Sequence, residues 1–210
     1  LRRPPRSTLF PSTTLFRSPI DPFYLTWKAR EHEVPTRFIE LAGEINTDMP
    51  HHVVDRLRAI VDRSCGKGLS AARILLVGVA YKKNVSDMRE SPAMKLLELL
   101  DAAGSAVEYI DPHVPEIPPM REYKQFLARP AADPATLASG QFDAVLIATD
   151  HDAIDYAQLL TLDCPVVDTR NAIARRGLAM AGRSDERRVG KECRARWSPH
   201  HLKTKRTIIR

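Results

Sequence analysis

Three cations crowd one short stretch of this sequence. Lys82, Lys83 and Arg89 lie within Gly78-Val79-Ala80-Tyr81-Lys82-Lys83-Asn84-Val85-Ser86-Asp87-Met88-Arg89-Glu90-Ser91-Pro92, and a fourth, Arg170, stands in Val166-Val167-Asp168-Thr169-Arg170-Asn171. Cations fixed at two loop positions suit an anionic ligand, above all a phosphate, whose oxygens accept charge-assisted hydrogen bonds from Lys and Arg. The plain alternative is a solvated charged surface, the usual fate of such residues. Other groups able to do chemistry are Asp21 in Pro19-Ile20-Asp21-Pro22, Asp111 in Ile110-Asp111-Pro112, and the run Thr149-Asp150-His151-Asp152. Asp21 ahead of Pro22 reads as a helix N-cap. A lone histidine at a strand end more often bonds a loop than catalyses, so His151 stays unassigned.

The elements that must hold these residues follow from the pattern around them. Ile74 to Val77, a branched aliphatic run closed by Gly78, predicts a strand buried on both faces of a parallel sheet. Ser91-Pro92 predicts a helix start, a cap hydroxyl followed by proline at the first helical position. The cations of the intervening loop therefore stand at the carboxyl end of a strand, where open α/β sheets bind ligands. The order continues with a helix (91–103, ended by Gly104), a strand (106–110), a proline-rich loop (111–119) and an ill-defined segment (120–141). A strand (143–149), a helix (about 152–160) and a strand (165–169) follow, the last placing Arg170 on the same rim. Alternating strands and helices predict an α/β fold, a Rossmann-like parallel sheet with right-handed crossovers. Yet Gly78-Val79-Ala80-Tyr81-Lys82-Lys83 has one glycine where a dinucleotide turn needs several, so the backbone is not shaped for a pyrophosphate. Asp111 could mimic the acid that holds a ribose, but Asp-Pro is ordinary turn chemistry, and the turn is the favoured reading.

Ahead of the sheet, a short helix is expected from Asp21 to the break at Val34-Pro35, and a second one after Thr36. Phe38, Leu41, Ala42 and Ile45 make an apolar stripe that resumes beyond Pro50 with Val53, Val54, Leu57, Ile60 and Val61. Pro50 should kink or restart the helix. From spacing alone such a helix serves equally as a connecting or dimerising element or as a helix packed on its own domain.

The chain has 210 residues, a formal charge of +6 and a pI near 9.4, values that suggest a nucleic-acid partner. The charge is misplaced for that. Residues 1–18 contribute +4 and residues 183–210 contribute +7, which leaves 19–182 at −5. Both basic ends read as translated sequencing adapter. Thr8-Leu9-Phe10-Pro11-Ser12-Thr13-Thr14-Leu15-Phe16-Arg17-Ser18 resembles one strand of a common adapter, and Arg183-Ser184-Asp185-Glu186-Arg187-Arg188-Val189-Gly190-Lys191-Glu192-Cys193 resembles its complement. Both ends are therefore set apart from the fold. Cys65, Cys164 and Cys193 are scattered, with neither a disulfide framework nor a metal-ligand spacing, as in a cytoplasmic protein. No apolar run reaches the roughly 20 residues that span a bilayer.

Taken together, Gly78-Val79-Ala80-Tyr81-Lys82-Lys83, Asp87-Met88-Arg89-Glu90-Ser91-Pro92, Ala148-Thr149-Asp150-His151, Asp168-Thr169-Arg170-Asn171 and Pro19-Ile20-Asp21-Pro22-Phe23-Tyr24-Leu25 resemble the nucleotide-sugar (UDP-glucose/GDP-mannose) dehydrogenase family. Pro19 to Leu25, with Phe38 to Asn46, looks most like its UDP-N-acetylglucosamine 6-dehydrogenase branch. The resemblance covers nearly all of 19–182 and corresponds to the C-terminal part of such an enzyme. It implies 19–63 as the end of an active-site loop plus central helices that make a homodimer or higher homo-oligomer, and 70–178 as a UDP-binding domain. NAD would be held mainly by a preceding Rossmann domain. Carried over by motif, Tyr81, Lys82 and Arg170 contact the UDP-sugar, Arg89 contacts the NAD phosphates, and Asp21 positions the hydrolytic water. Asn84 and Ser86 stand where acid or glycine is frequent, a departure expected to matter little.

The implied chemistry oxidises a C6 alcohol twice, through an aldehyde and a cysteine thioester, and serves polysaccharide biosynthesis. The nucleophilic cysteine belongs four residues before Asp21, where this sequence has Arg17. The expectation is thus a C-terminal fragment without dehydrogenase activity of its own. The alternative is a non-catalytic nucleotide-binding or dimerisation module.

Overall fold

A computed structural model describes residues 21–133 and 141–178. The adapter-like ends, Arg17 and Cys193 lie outside them. The chain divides into two compact units at Met49/Pro50.

In the first unit, helix α1 (Asp21–Glu31) is followed by the start of α2 (Arg37–Cys65). Helix α1 takes in Asp21 as its first residue instead of leaving it outside as the cap, a one-residue shift at a helix end. Thr36 holds the cap position of α2, its carbonyl accepting from the Ile39 and Glu40 N–H groups. The ring of Phe23 lies so close to Gly43 that a Cβ there would come within 2.6 Å of it.

The restart expected at Pro50 does not occur: α2 continues through the proline as one helix of 29 residues. Proline removes one intrahelical hydrogen bond. Beyond it, Val53, Val54, Leu57, Ile60 and Val61 are all buried in the second unit's core and hold the continuing turns in place.

In that second unit the strands are β1 (Arg73–Val77), β2 (Ala106–Ile110), β3 (Ala144–Ile147) and β4 (Val166–Asp168). They form a parallel sheet in the order β2-β1-β3-β4. Side chains alternate between two covered faces, which is why the runs are apolar throughout. Ile74, Leu76, Val107, Tyr109 and Leu146 pack with α2 and with α3 (Pro92–Ala102). Leu75, Val77, Val145, Ile147 and Val166 pack with α4 (Tyr156–Leu159) and α5 (Ala172–Arg175). Helix α3 starts as its sequence dictates: Ser91 Oγ accepts from the Ala93 N–H at 3.3 Å, with Pro92 next in line. It ends at Gly104, whose φ of +81° is a left-handed conformation that favours glycine. The helix expected at about 152–160 shortens to the single turn of α4, because Asp155 caps it by accepting from the Ala157 and Gln158 N–H groups. Among the described residues no helix is long and apolar enough to cross a membrane.

Candidate functional site

The sheet's strand order creates the site. The chain leaves β1 for β2 on one side and returns to β3 on the other, so the loops after β1 and β3 diverge above adjacent strands, where such sheets open a crevice. Register aligns Val77 with Ile110 and Ile147, and Ile147 with Asp168, which sets Gly78, Asp111, Ala148 and Thr169 level along one rim.

Gly78 begins the loop after β1 at φ +79°, and any Cβ there would come within 2.2 Å of the Thr149 carbonyl oxygen. Past it the backbone is pinned by side chains from three directions. The Val79 and Ala80 N–H groups both donate to Asp111 Oδ2, at 2.8 and 3.0 Å. Ser91 Oγ donates to the Val79 carbonyl and Thr149 Oγ1 to the Ala80 carbonyl, each at 2.7 Å. Asp111 also accepts from the His113 N–H at 2.8 Å, a local turn bond that bears out the turn reading of Asp-Pro. Its second role was not visible in the sequence. Asp111 is the internal anion of the rim, its side chain fully buried. Burial pushes its carboxyl up, but the His151 hydrogen bond and three backbone N–H groups outweigh this and hold it below the usual carboxylate range.

A dinucleotide does not fit this turn. Its pyrophosphate needs free backbone N–H groups at the strand-to-helix turn, and here the Val79 and Ala80 donors are committed to Asp111.

His151 is wholly buried beside this carboxylate. Its Nε2 lies 3.0 Å from Asp111 Oδ2, and its Nδ1 accepts from the Asn84 N–H at 2.9 Å. Asn84, at φ +59°, also bonds Asp152 twice, donating from Nδ2 to Oδ2 at 2.7 Å and accepting the Asp152 N–H at 2.9 Å. With these three hydrogen bonds Asn84, where acid or glycine is frequent, ties the loop after β1 to the loop after β3. Asparagine suits the post, since it tolerates the left-handed region and carries both a donor and an acceptor.

The cations meet different fates. Lys83 Nζ pairs with Asp152 Oδ1 at 2.6 Å. Arg89 clasps Asp87 through Nε at 3.0 Å and a terminal nitrogen at 2.8 Å, and the Asp87 carboxyl is held low chiefly by that bond. Arg170, exposed at the end of β4, donates from Nε to the Ala148 carbonyl at 2.5 Å, while Asp168 accepts its N–H. Lys82 is half-buried with Nζ 4.9 Å from the centre of the Tyr81 ring, and has no carboxylate within ion-pair distance among the described residues. Tyr81, Lys82 and Arg170 thus occupy one rim, linked through Ala80, Thr149 and Ala148. Asp21 belongs to the other unit, and its side chain lies outside the described residues. The Asp111–His151–Asn84 chain was missed because it joins three loops that only the strand order brings together.

The chain's relatives carry a consistent message. Residues 75–175 match the UDP-glucose/GDP-mannose dehydrogenase family, UDP binding domain. A UDP-N-acetyl-D-mannosamine dehydrogenase of Methanococcus maripaludis is 30% identical over 162 residues, 73% of this chain and 34% of that protein. An NDP-N-acetyl-D-galactosaminuronic acid dehydrogenase of Ralstonia nicotianae is 27% identical over 78% of the chain and 34% of its own length. The chain therefore spans about a third of these relatives. Among solved structures, the UDP-D-ManNAc dehydrogenase of Pyrococcus horikoshii aligns with a TM-score of 0.57 at 26% identity, over 74% of this chain and 34% of that one. A UDP-glucose dehydrogenase from Pyrobaculum islandicum gives 0.56 at 25% identity, over 77% of this chain and 35% of that one.

Proposed function

The chain carries the UDP-binding domain of the UDP-glucose/GDP-mannose dehydrogenase family, and from that premise we propose that its sheet rim seats the diphosphate of a UDP-N-acetylhexosamine. The whole protein would be a cytoplasmic NAD-dependent dehydrogenase that oxidises the C6 alcohol to the uronate. The observation that carries this reading is Lys82. It is the one cation of its loop without a carboxylate partner among the described residues, standing where the strand order opens a crevice. Tyr81 beside it offers a ring edge and a hydroxyl, and Arg170 brings a second positive charge. Arg89 is assigned to the NAD phosphates, reached by exchanging its Asp87 partner, and Asp21 to the hydrolytic water. NAD itself belongs to a separate Rossmann domain, since the turn at 78–80 does not fit it.

The N-acetylhexosamine class is supported by the names of three of the four relatives given above. Within it, the glucosamine epimer matches the motifs at 19–25 and 38–46, whereas the relatives named above are dehydrogenases of N-acetylmannosamine, N-acetylgalactosaminuronic acid and, for the Pyrobaculum islandicum structure, glucose derivatives. Residues 19–63 are assigned to the end of the active-site loop and the central helices. Their apolar face, with Phe38, Leu41 and Ile45 all more than half exposed, suits a second copy of the chain.

Calorimetric titration tests the reading. The chain should bind UDP and prefer it to NAD, and Lys82→Ala should weaken UDP binding by roughly ten- to a hundredfold, the effect of losing a charge-assisted phosphate contact worth about 1.5–3 kcal/mol. Lys83→Ala should change little. Equal binding of UDP and NAD, or full affinity in Lys82→Ala, would remove the case.

A further inference from the structure

The buried chain from Asp111 through His151 to Asn84 has no part in the assignments above, yet it ends on the loop that carries Tyr81 and Lys82. We propose that His151 is a positioning residue for that loop: Asp111 holds its imidazole with the proton on Nε2, and the bare Nδ1 is then a fixed acceptor that sets the Asn84 N–H and with it the turn at 81–84. The proposal rests on the reading that Tyr81 and Lys82 meet UDP.

The geometry specifies the tautomer. With the Asn84 N–H aimed at Nδ1 from 2.9 Å, a proton on Nδ1 would set two donors against each other, so the neutral ring carries its proton on Nε2. That proton has an acceptor 3.0 Å away in Asp111, whose ionised form is favoured by its other donors. The ring is held from behind as well. Its backbone carbonyl accepts from Tyr156 Oη and from Arg176, each at 3.2 Å, and the Arg176 guanidinium lies 4.0 Å from the Tyr156 ring centre. His113 stands 4.9 Å away, centre to centre, its Nε2 buried without a hydrogen-bond partner among the described residues.

The consequence is a loop clamped at both ends. Val79 and Ala80 are fixed by Asp111, Ser91 and Thr149, and Asn84 is fixed by His151 and Asp152. Tyr81 and Lys82 lie between the clamps, with the Tyr81 N–H bonded to the Asp87 carbonyl at 2.7 Å. The backbone that carries their side chains therefore needs no ordering at the moment a ligand arrives, which lowers the entropic cost of binding.

Two substitutions separate positioning from mere packing. In His151→Asn the amide oxygen falls near the place of Nδ1 and keeps an acceptor for Asn84. In His151→Gln the amide nitrogen falls near Nε2 and keeps only the donor to Asp111. Both should lower the thermal midpoint. UDP affinity of the full chain, by calorimetry, should fall about tenfold in His151→Gln and less than threefold in His151→Asn, tenfold being one hydrogen bond's worth. Exchange of the Asn84 amide proton, followed by NMR without ligand, should accelerate in the Gln variant alone. Equal loss of affinity in both variants, in step with the midpoint, overturns the positioning role, as does Asn84 exchange unchanged in His151→Gln. A parent chain that ignores UDP while its Asn84 exchange behaves as expected instead overturns the nucleotide reading, and the link to it. Should neither variant fold, the imidazole ¹⁵N shifts of the parent decide: a proton on Nδ1 of His151 overturns the proposal.

Discussion

One helix carries the same apolar stripe twice with opposite outcomes. Before Pro50, Phe38, Leu41 and Ile45 are 67%, 52% and 54% exposed; after it, Val53, Val54, Leu57, Ile60 and Val61 are at most 6% exposed. The spacing is equally helical in both halves. What differs is the cover: the second half lies in a core with β1, β3 and α3, whereas Phe38, Leu41 and Ile45 of the first half are more than half exposed. Periodicity names the face that wants burial, and the partner that buries it is separate information. The sheet unit has a core of its own, while Phe38, Leu41 and Ile45 of the first unit stay exposed.

The sharpest contrast is between two leucines. Leu57→Ala should destabilise the chain by about 2–5 kcal/mol through lost transfer energy and a residual cavity, read as a lower urea midpoint. If it costs no more than a surface change, the core described around α2 is wrong. Asp111→Asn should come next, at on the order of 2 kcal/mol near neutral pH, because an amide cannot accept from all of the donors that face the carboxylate. Its sign with pH is fixed by the direction of the shift. A carboxyl held below its unfolded value, about 3.9, contributes stability that is present above that value and lost as pH falls through the folded one. The parent should therefore lose stability more steeply than the variant on the acid limb, and parallel limbs would contradict the pairing.

On the other side of Pro50 the expected effects concern association. Phe38→Glu should weaken self-association at least tenfold in sedimentation velocity while leaving the urea midpoint of the dilute chain in place. A chain that remains a monomer at all concentrations would break the comparison from that side. Smallest of all, Leu41→Ala should shift the dilute chain's stability by no more than about 0.5 kcal/mol, against the loss at Leu57.

The strands and the start of α3 were legible because local residues alone decide them. Ile74 to Val77 is apolar on both faces, and Ser91-Pro92 supplies its own cap. The rim cations were legible as strand-end residues, but their engagement was not: Lys83 found Asp152, and Arg170 turned to the Ala148 carbonyl, partners 69 and 22 positions away. The bonds of Asn84 were hidden for the same reason, since each crosses 67 or 68 positions of sequence. Only the placement of β3 beside β1 makes those residues neighbours, and no local pattern encodes that adjacency. Asp111 was half read, as a turn, because its turn bond is to His113 two residues on and its other bonds lie more than thirty residues away.

That carboxylate also constrains how this rim can change over generations of substitution. His151 and Asp111 meet through their side chains, so changes at those two positions will not add, whereas Val79, Ala80 and Asn84 are tied to them by backbone N–H groups that any residue but proline supplies. A glycine-rich turn grafted at 78–83 would still find Asp111 competing for its amides, and removing Asp111 first would leave His151 without the acceptor that fixes its ring. Relatives that differ at Asp111 should differ at His151 as well, and a drift from this loop to a dinucleotide loop has no neutral first step.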